Sequence, residues 1–456
     1  MADATTAATP SVWAPEWRAL TIGLVVTVTL AASEALAVAT VLPLVARDLH
    51  GLALYGWVTS AFFLGTLIGL VVAGEEIDRR GPAAPFAAAL VLFSAGLLVA
   101  GLAPAMWVVV LGRALQGLGA GAISPVAYAS IGRTIPDELR PRVFALLSTA
   151  WVVPGLAGPA VAAAVGQAFG WRWVFLGLLP LVALTSVPPY RALRRIGPPP
   201  EPTELGSRLL PALGVAAAGG LALAALAERS LLSLALGAAA VAVGARPLGR
   251  LFPPGTLTAR AGLPATVLAR GLLTFGFFGA DTFVPLALVE VRDRSTTLAG
   301  AALTAATLAW TAASWVQERL VHAWGPRRLV RLGLLIVVAG IAGTAAALLD
   351  AIPAELAVAT WGVAGFGIGL AYSSLSLAVL REAPPGQEGT ATASLQLSDN
   401  LGVAFGAGLG GAAVAVASAH GSEAAGIAVA YAVSAAVALV GAAIAARVPA
   451  RETLRG

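Results

Sequence analysis

The chain has 456 residues, of which 58% are hydrophobic and only 11% charged, and its mean hydropathy is +0.87. A soluble protein carries about a quarter charged residues, so this composition excludes an ordinary soluble globular domain. All 28 basic residues are arginine and cysteine is absent, which excludes disulfides and thiolate metal sites.

Apolar stretches of about 18–25 residues follow one another along the chain, separated by short polar breaks, which is typical of helices that cross a membrane. The pattern predicts fourteen spans, in a block of six, a shorter pair and a second block of six, at 18–45, 53–74, 82–103, 106–131, 140–168, 171–189, 209–227, 231–248, 264–290, 297–320, 329–349, 353–380, 389–418 and 423–447. Because residues 1–17 lack the charged-then-apolar order of a cleavable signal, we expect the first span to stay in the protein.

The fold class that follows is an all-α, polytopic membrane protein with two pseudo-symmetric six-helix bundles. In this interpretation residues 1–195 form the N-terminal bundle, 196–260 a linker with two additional transmembrane helices, and 261–456 the C-terminal bundle. The additional helices are joined by the turn Glu228-Arg229-Ser230. Each is near the lower length limit for crossing a membrane, so twelve spans with a partly inserted hairpin is the alternative to fourteen.

Arginine is distributed unevenly between the two sets of alternate loops. Twenty-two of the 28 arginines fall on one side and five on the other, with Arg113 inside a span. Since basic residues accumulate on the cytoplasmic side of membrane proteins, both termini are predicted to be cytoplasmic and the protein to lie in the cell inner membrane. This bias also accounts for the sequence pI of 10.3, so no nucleic-acid partner is expected.

The two six-span blocks carry similar landmarks, as expected of transporters built from internal repeats. Gly-Pro at 81–82 is echoed at 325–326, and the glycine-rich segment 117–121 is echoed at 365–369. Three motifs of the first block have a defined spacing. They are Gly74, Asp78, Arg79 and Gly81 after the second span, Arg113, Gln116 and Gly117 in the fourth, and Pro154, Gly155, Gly158 and Pro159 in the fifth.

These motifs resemble those of the major facilitator superfamily, and the extra hairpin resembles that of its fourteen-spanning drug:proton antiporter branch. The resemblance implies the paired bundles of that family, a gating motif after the second span, a fourth-span arginine facing the central cavity, and a fifth-span Gly-Pro motif typical of antiporters. The sequence departs from the pattern at Pro82-Ala83, where the family has a basic pair, and at His322, which stands where Asp78 stands in the first block.

Four ionisable residues stand clear of the predicted loops: Glu34, Arg113, Asp281 and Asp399. A charge at mid-membrane costs about 2.5–3.5 kcal/mol on insertion scales, so each is a candidate for proton coupling. Glu34 lies about 24 Å from the cytoplasmic end of the first span, and Arg113 lies about 10 Å from the outer end of the fourth span. In a hydrocarbon core about 30 Å thick the two can therefore lie at similar depth. A carboxyl whose surroundings differ between two conformations can load a proton on one side and release it on the other. Glu34 is therefore the leading candidate, and a static ion pair is the alternative.

Asp281 follows a group of phenylalanines in the first span of the second block. An acid among aromatic rings suits a lipophilic cation, and Phe277 and Phe278 share its side of the helix. A packing stripe with a hydrogen-bonded aspartate is the alternative. Further residues predicted to line a substrate cavity are Gln116, Phe62, Phe275, Phe278, Trp310 and Tyr372.

The sequence therefore predicts a secondary active transporter that exports hydrophobic or cationic drug-like compounds by alternating access, in exchange for protons. No cofactor or metal is expected, since His50, His322 and His420 lie far apart in predicted loops. Without lysine the chain has no phosphate-binding loop of the ATPase type. A lipid or metabolite exporter of the same fold and a proton symporter are the alternatives, and a membrane enzyme is disfavoured. We expect a monomer whose partners are membrane lipids and a small lipophilic substrate.

Overall fold

The computed structural model describes residues 11–136, 139–197, 209–227, 232–383 and 388–450. Every regular element within these ranges is helical, so the all-α prediction is confirmed. Twelve helical segments of the described chain are long and apolar enough to cross a membrane.

The helices of the first block follow the predicted spans, but three of those spans are broken in the middle. The bounds are α1 Arg18–Asp48, α2 Tyr55–Arg80, α3 Ala83–Gly101, α4 Met106–Ala120, α5 Ile123–Thr134, α6 Arg140–Thr149, α7 Val152–Phe169, α8 Arg172–Leu176 and α9 Leu178–Leu193. The pairs α4–α5, α6–α7 and α8–α9 each make up one predicted span. Gly81 ends α2 with a φ of 78°, a left-handed conformation that glycine adopts at little cost.

The helices of the inserted pair and of the second block also correspond to predicted spans. The bounds are α10 Leu209–Ala227, α11 Leu232–Leu251, α12 Leu263–Asp281, α13 Val284–Leu286, a π-helix Ala287–Val291, α14 Thr296–Ala346, α15 Leu356–Glu382, α16 Glu388–Ser418 and α17 Glu423–Ile444. The sequence predicts a loop between spans 297–320 and 329–349, and in the structure a single residue takes the place of that loop. Gly325, whose φ of 73° and ψ of 159° are not helical, separates the two helices that make up α14.

Two of the fourteen predicted spans are not among the twelve segments. The first, 209–227, is described as a shorter apolar helix over Leu209–Ala225. The second, 297–320, forms the first part of α14, where Thr304, Thr307 and Thr311 interrupt the apolar sequence. Both segments are helical, so the count of fourteen spans stays a prediction.

The described chain begins and ends at the same end of the molecule, which we call the N/C face. In the first half a buried cluster there joins Val12, before α1, to Ile77 near the end of α2 and Leu193 at the end of α9. In the second half the backbone N–H of Gly262, where α12 begins, donates to the carbonyl of Arg447. The other end of the molecule is called the opposite face.

The two halves meet along two seams, in which α2 packs against α16 and α7 packs against α14. In the first seam the Ser60 hydroxyl donates to the carbonyl of Ala404 at 2.7 Å. A Cβ on Gly56 would lie 2.2 Å from the carbonyl oxygen of Ala407, so a side chain there would push the two helices apart. In the second seam Gln167 donates to the Thr296 hydroxyl at 2.7 Å.

The inserted helix α10 lies over the α2–α16 seam and packs against both helices. Leu223 of α10 shares a buried cluster with Leu64 of α2 and Ala404 of α16. Closer to the N/C face, Val215 of α10 shares another cluster with residues of both helices, among them Leu67 and Leu401. The insertion therefore covers one of the two lines along which the halves meet.

Candidate functional site

Three polar side chains meet inside the first half and form what we call the N-half charge cluster: Glu34 of α1, with Arg113 and Gln116 of α4. Arg113 Nη1 donates to Glu34 Oε1 and also to Gln116 Oε1, at 2.9 Å from the latter. Gln116 Nε2 donates to the same Glu34 oxygen at 3.0 Å. Glu34 and Gln116 are fully buried and Arg113 is 4% exposed, so the cluster is sealed from solvent in this conformation.

Glycines in α3 and α4 make room for this cluster. A Cβ on Gly96 of α3 would lie 2.6 Å from Gln116 Cγ, and a Cβ on Gly117 would lie 2.0 Å from the carbonyl oxygen of Phe62. The resulting approach of α4 to α2 places the Arg113 guanidinium 4.2 Å from the centroid of the Phe62 ring. Phe62, predicted as a cavity residue, therefore contacts the arginine of the cluster.

The N-half charge cluster has unused hydrogen-bonding capacity. Glu34 Oε2 and Arg113 Nε are buried and have no hydrogen-bond partner among the described residues. Buried polar atoms in native proteins are nearly always paired, so exceptions point to strain or function. An oxygen without a partner at a buried carboxylate is a place where a proton can bind.

A second set of polar groups, the C-half charge cluster, consists of Arg270 of α12, Tyr372 and Ser376 of α15, and Asp399 of α16. Arg270 Nε donates to Asp399 Oδ1 at 3.0 Å, and the Tyr372 hydroxyl donates to Asp399 Oδ2 at 2.9 Å. Arg270 Nη1 donates to the carbonyl of Tyr372 at 2.8 Å and to the Ser376 hydroxyl at 3.2 Å. The guanidinium also lies over the Tyr372 ring.

The sequence analysis named Asp399 and Tyr372 but missed the arginine of this cluster, because Arg270 was one of the twenty-two arginines assigned to the cytoplasmic side although it falls inside the predicted span 264–290. The structure places Arg270 inside α12 with 3% of its surface exposed, so this assignment was wrong. Arg270 lies seven residues after the start of α12. A basic residue so close to the end of a span is usually assigned to the loop that precedes the span. Its partner Asp399 is 129 residues away in sequence, so no local pattern signals the pair.

We expect Arg270→Ala to destabilise the protein by less than the 3–5 kcal/mol typical of breaking a fully buried ion pair, because the Asp399 side chain keeps 20% of its surface exposed. Arg270→Lys is expected to recover only part of the loss, since an ammonium group cannot donate to Asp399, Tyr372 and Ser376 in the planar geometry of a guanidinium. Thermal unfolding of the purified variants measures both effects. Equal stability of the alanine and wild-type proteins would contradict this account of the pair.

Aromatic rings extend from the C-half charge cluster towards the opposite face. Trp310 contacts Tyr372 with ring centroids 5.1 Å apart and Phe278 with centroids 6.1 Å apart. We call these three half-buried rings the aromatic wall. Behind them the buried Phe277 and Trp361 are stacked at 5.0 Å. Phe275, also predicted to line the cavity, has its backbone against Gly406 of α16.

Asp281 lies at the end of α12, beyond the aromatic wall. Its Oδ1 accepts a hydrogen bond from Trp361 Nε1 at 2.7 Å. The side chain is half-buried, and it forms no salt bridge within the described residues. Trp361 was not predicted, because it is 80 residues from Asp281 in sequence.

The fifth-span Gly-Pro motif lies in the α7–α14 seam. A Cβ on Gly155 would lie 2.3 Å from Thr307 Cγ2, and Pro159 packs against Gly300, where a Cβ would lie 3.1 Å from Pro159 Cβ. Gly158 faces Leu36 of α1, and Pro154 is buried. The small residues of the motif therefore allow the two halves to approach closely.

The predicted gating motif lies at the N/C face. Arg79 and Arg80 form salt bridges with Glu76 of the same helix, at 3.2 and 3.4 Å, while the backbone of Gly81 approaches that of Gly197. Gly74 has open space beside it. The side chain of Asp78 is outside the part of the chain that the structure describes.

At the opposite face several contacts join the two halves. Arg47 Nη2 of α1 forms a salt bridge of 3.0 Å with Glu290 Oε2, in the π-helix after α13. The rings of Tyr55 and Phe283 lie 5.7 Å apart. Together with the Gln167–Thr296 hydrogen bond, these contacts close the molecule at this face.

Comparison with known proteins agrees with this architecture. Residues 22–407 match the sequence profile of the Major Facilitator Superfamily. The Mycobacterium tuberculosis protein named "Probable multidrug-efflux transporter" is 29% identical over 402 residues, which cover 84% of either chain. The Bacillus subtilis protein named "Multidrug transporter protein MdtP" is 24% identical over 404 residues, covering 85% of this chain and 73% of that one.

Solved structures of the same fold cover nearly the whole chain. A bacterial homologue of the human lysosomal transporter Spinster, solved in an inward-facing and unoccupied conformation, matches with a TM-score of 0.69 and 15% identity over 95% of this chain and 96% of that one. The POT family transporter PepTSo matches with a TM-score of 0.68 and 16% identity over 95% and 98%. The sequence profile match over residues 22–407 and the multidrug-efflux relatives make the chain a membrane-embedded transporter and not an enzyme, and it belongs to the major facilitator superfamily.

Proposed function

We propose that this protein is a proton-coupled antiporter that exports lipophilic cations, and that it belongs to the fourteen-spanning drug:proton antiporter branch. In this proposal the N/C face is cytoplasmic, all fourteen segments cross the cell inner membrane, and the structure represents the conformation open towards the cytoplasm. Closure at the opposite face by the Arg47–Glu290 salt bridge supports the assignment of the conformation, and the multidrug-efflux relatives support the export of drug-like compounds.

The balance of buried charge is the observation that carries the choice of substrate. Glu34 is paired with Arg113, and Asp399 is paired with Arg270, so neither pair adds a net charge to the interior. Asp281 has only the indole N–H of Trp361 as a partner within the described residues. An unpaired carboxylate beside aromatic ring faces attracts a lipophilic cation, and the same surroundings would repel an anion.

The proposed coupling uses the N-half charge cluster. A proton bound to Glu34 would neutralise the carboxylate and weaken its attraction for Arg113, whereas loss of that proton restores the pair seen here. Deprotonated Glu34 would thus favour the arrangement seen here, in which α1 and α4 are held together by the Glu34–Arg113 pair, and protonated Glu34 would favour a second arrangement of the two helices. If Glu34 faces the exterior in one conformation and the cytoplasm in the other, each cycle exchanges a proton for substrate.

Transport in proteoliposomes tests the proposal. With a pH gradient imposed across the membrane and ethidium as the substrate, we expect the dye to accumulate on the acidic side against its concentration gradient. A proton-coupled symporter would concentrate ethidium on the alkaline side. Movement of fluorescent phospholipids with no movement of ethidium would favour a lipid exporter.

We expect Asp281→Asn to weaken the binding of ethidium by about tenfold or more, since a desolvated cation–carboxylate contact contributes over about 1.4 kcal/mol. Asparagine keeps a carbonyl that can accept the Trp361 hydrogen bond, so the fold should be retained. Equilibrium binding to the purified variant measures the loss. The control variant is Asp281→Glu, which keeps the charge, and the control ligand is the neutral aromatic dye N-phenyl-1-naphthylamine. If Asp281→Asn lost affinity equally for both dyes, an electrostatic role of Asp281 would be excluded.

A further inference from the structure

Two tyrosines lie buried behind the closed opposite face, one from each half of the molecule. Tyr55 begins α2, and Tyr431 lies eight residues after Glu423, where α17 begins. Their exposed fractions are 0% and 1%, and neither hydroxyl group has a hydrogen-bond partner among the described residues. The hydroxyl of a buried tyrosine usually has a partner, so the two together point to a bound molecule that supplies one.

Tyr55 lies at a close crossing of the two halves. Its neighbour Gly56 packs against α16, where a Cβ on Gly56 would lie 2.7 Å from Gly411 Cα. The ring of Tyr55 lies 5.7 Å from the ring of Phe283 in the second half, and both rings share a buried cluster with Tyr431. Any group that Tyr55 binds in common with Tyr431 therefore joins the first half to the second.

Tyr431 lies at the level of Asp281. A Cβ on Gly279 of α12 would lie 2.9 Å from Ser434 Oγ of α17, and α12 runs towards the opposite face while α17 runs away from it. Asp281 lies two residues beyond Gly279, and Tyr431 lies three residues before Ser434 on the same side of α17, so both steps lead to the same level. The Asp281 carboxylate accordingly acts electrostatically on Tyr431 and also on Tyr55.

The two hydroxyl groups and the carboxylate suit a water molecule. Each phenol O–H can donate to the water oxygen, and the water can donate to Asp281 Oδ2, since Oδ1 already accepts from Trp361. Buried waters typically make about three hydrogen bonds to polar groups that otherwise lack a partner. A fourth such group, Glu290 Oε1, is buried without a partner among the described residues and extends the polar region towards the Arg47–Glu290 salt bridge.

We propose that Tyr55, Tyr431 and Asp281 hold a bound water that joins the two halves behind the closed opposite face, and that a cation arriving at Asp281 displaces this water and so favours opening at that face. The part about the cation rests on the proposed function, whereas the water bridge does not. Of the three residues only Tyr55 belongs to the first half, so the bridge exists only while the opposite face is closed.

The bridge gives the substrate a means of opening the face through which it leaves. A ligand shifts a conformational equilibrium only when it binds one state more tightly than the other. In the closed state the cation has to displace the water from Asp281, whereas in the open state there is no bridge to lose. The cation therefore binds the open state more tightly, by the factor that the bridge contributes to closure.

Removal of either hydroxyl group tests the bridge without any substrate. Spin labels on cysteines at Leu102 and Leu349, which are exposed on the two halves at the opposite face, report its opening. We expect Tyr55→Phe and Tyr431→Phe each to raise the ratio of open to closed molecules about 2- to 12-fold, as the loss of one hydrogen bond implies. Because the bridge needs both hydroxyl groups, the double variant should add less than twofold to either single variant.

Tyr190→Phe is the matched control and should leave the ratio unchanged, because Tyr190 is half-buried at the N/C face and packs against the cluster that contains Leu193. If the hydroxyl groups of Tyr55 and Tyr431 have no bound partner, their removal should instead shift the protein towards the closed state. That shift, or an unchanged ratio, would overturn the bridge.

Ethidium tests the displacement with the same spin labels. We expect saturating ethidium to raise the ratio of open to closed molecules in the wild-type protein by about the factor that Tyr55→Phe produces, and to change it less than twofold in Tyr55→Phe itself. An equal response of both proteins to ethidium would overturn the displacement while leaving the proposed function standing. Failure of ethidium to bind the wild-type protein would overturn the proposed function and the displacement with it, whereas the ratio measured without ethidium still decides the bridge.

Discussion

Glu34→Gln and Arg113→Gln are each expected to lower the free energy of unfolding by about 3–5 kcal/mol, which is the usual cost of leaving one member of a buried ion pair without its partner. Glu34 is fully buried and Arg113 is 4% exposed, so water cannot compensate the remaining charge. The double variant Glu34→Gln/Arg113→Gln should recover most of this stability, because two amides can hydrogen-bond to each other and to Gln116 without a buried charge.

The double variant separates structural support from proton coupling. If the N-half charge cluster only stabilises packing, the double variant should regain transport together with its stability. If Glu34 carries the proton, transport driven by a pH gradient should stay at the level of protein-free vesicles, while the variant still exchanges ethidium for ethidium without a gradient. Thermal unfolding and these two transport assays on the same preparation decide between the outcomes.

Gly56→Val is expected to shift the protein towards a conformation that is open at the opposite face. A Cβ at this position would lie 2.2 Å from the carbonyl oxygen of Ala407 and 2.7 Å from Gly411 Cα, so the closed crossing of α2 and α16 cannot hold a side chain there. Overpacking costs about 1–3 kcal/mol, and an energy of that size changes a two-state equilibrium by about 5- to 150-fold.

Spin labels across the opposite face measure this shift. Leu102 of the first half and Leu349 of the second are 61% and 60% exposed, and cysteines at these positions would be the only ones in the chain. We expect a longer distance between the labels to become dominant in Gly56→Val. Gly220→Val on α10 is the control, because a Cβ there has no heavy atom within 4 Å, and an unchanged distance distribution in both variants would contradict the role of this crossing. Gly56→Ala provides a milder change if the valine variant does not fold.

The helices could be predicted well from the sequence because hydropathy acts locally. Most of the predicted spans have helical counterparts whose ends lie within a few residues of the prediction, such as 389–418 against Glu388–Ser418. The prediction was less accurate for the length of one connection, which backbone geometry sets. The predicted spans 297–320 and 329–349 correspond to the two helices that make up α14, but the loop expected between them is reduced to Gly325, which accommodates the turn within a single residue.

The candidate site could be predicted in part. Glu34 and Arg113 were placed at similar depth from the helical rise, and the structure brings them into contact. Gln116 joins them because it lies one turn from Arg113 on the same helix. The partners of Asp281 and Asp399 could not be predicted, since Trp361 and Arg270 come from other helices and their approach depends on how α12 packs against α15 and α16.

The central claim is that substrate and protons move in opposite directions through a cycle that depends on Glu34. Its most direct test uses proteoliposomes that contain a trapped pH-sensitive dye, start without a pH gradient and have the membrane potential clamped with potassium and valinomycin. When ethidium is added outside, the account predicts that the interior becomes alkaline with the wild-type protein, as protons leave in exchange for entering substrate, and that the pH stays constant with Glu34→Gln. Ethidium entry without any change of internal pH in the wild-type protein would contradict it.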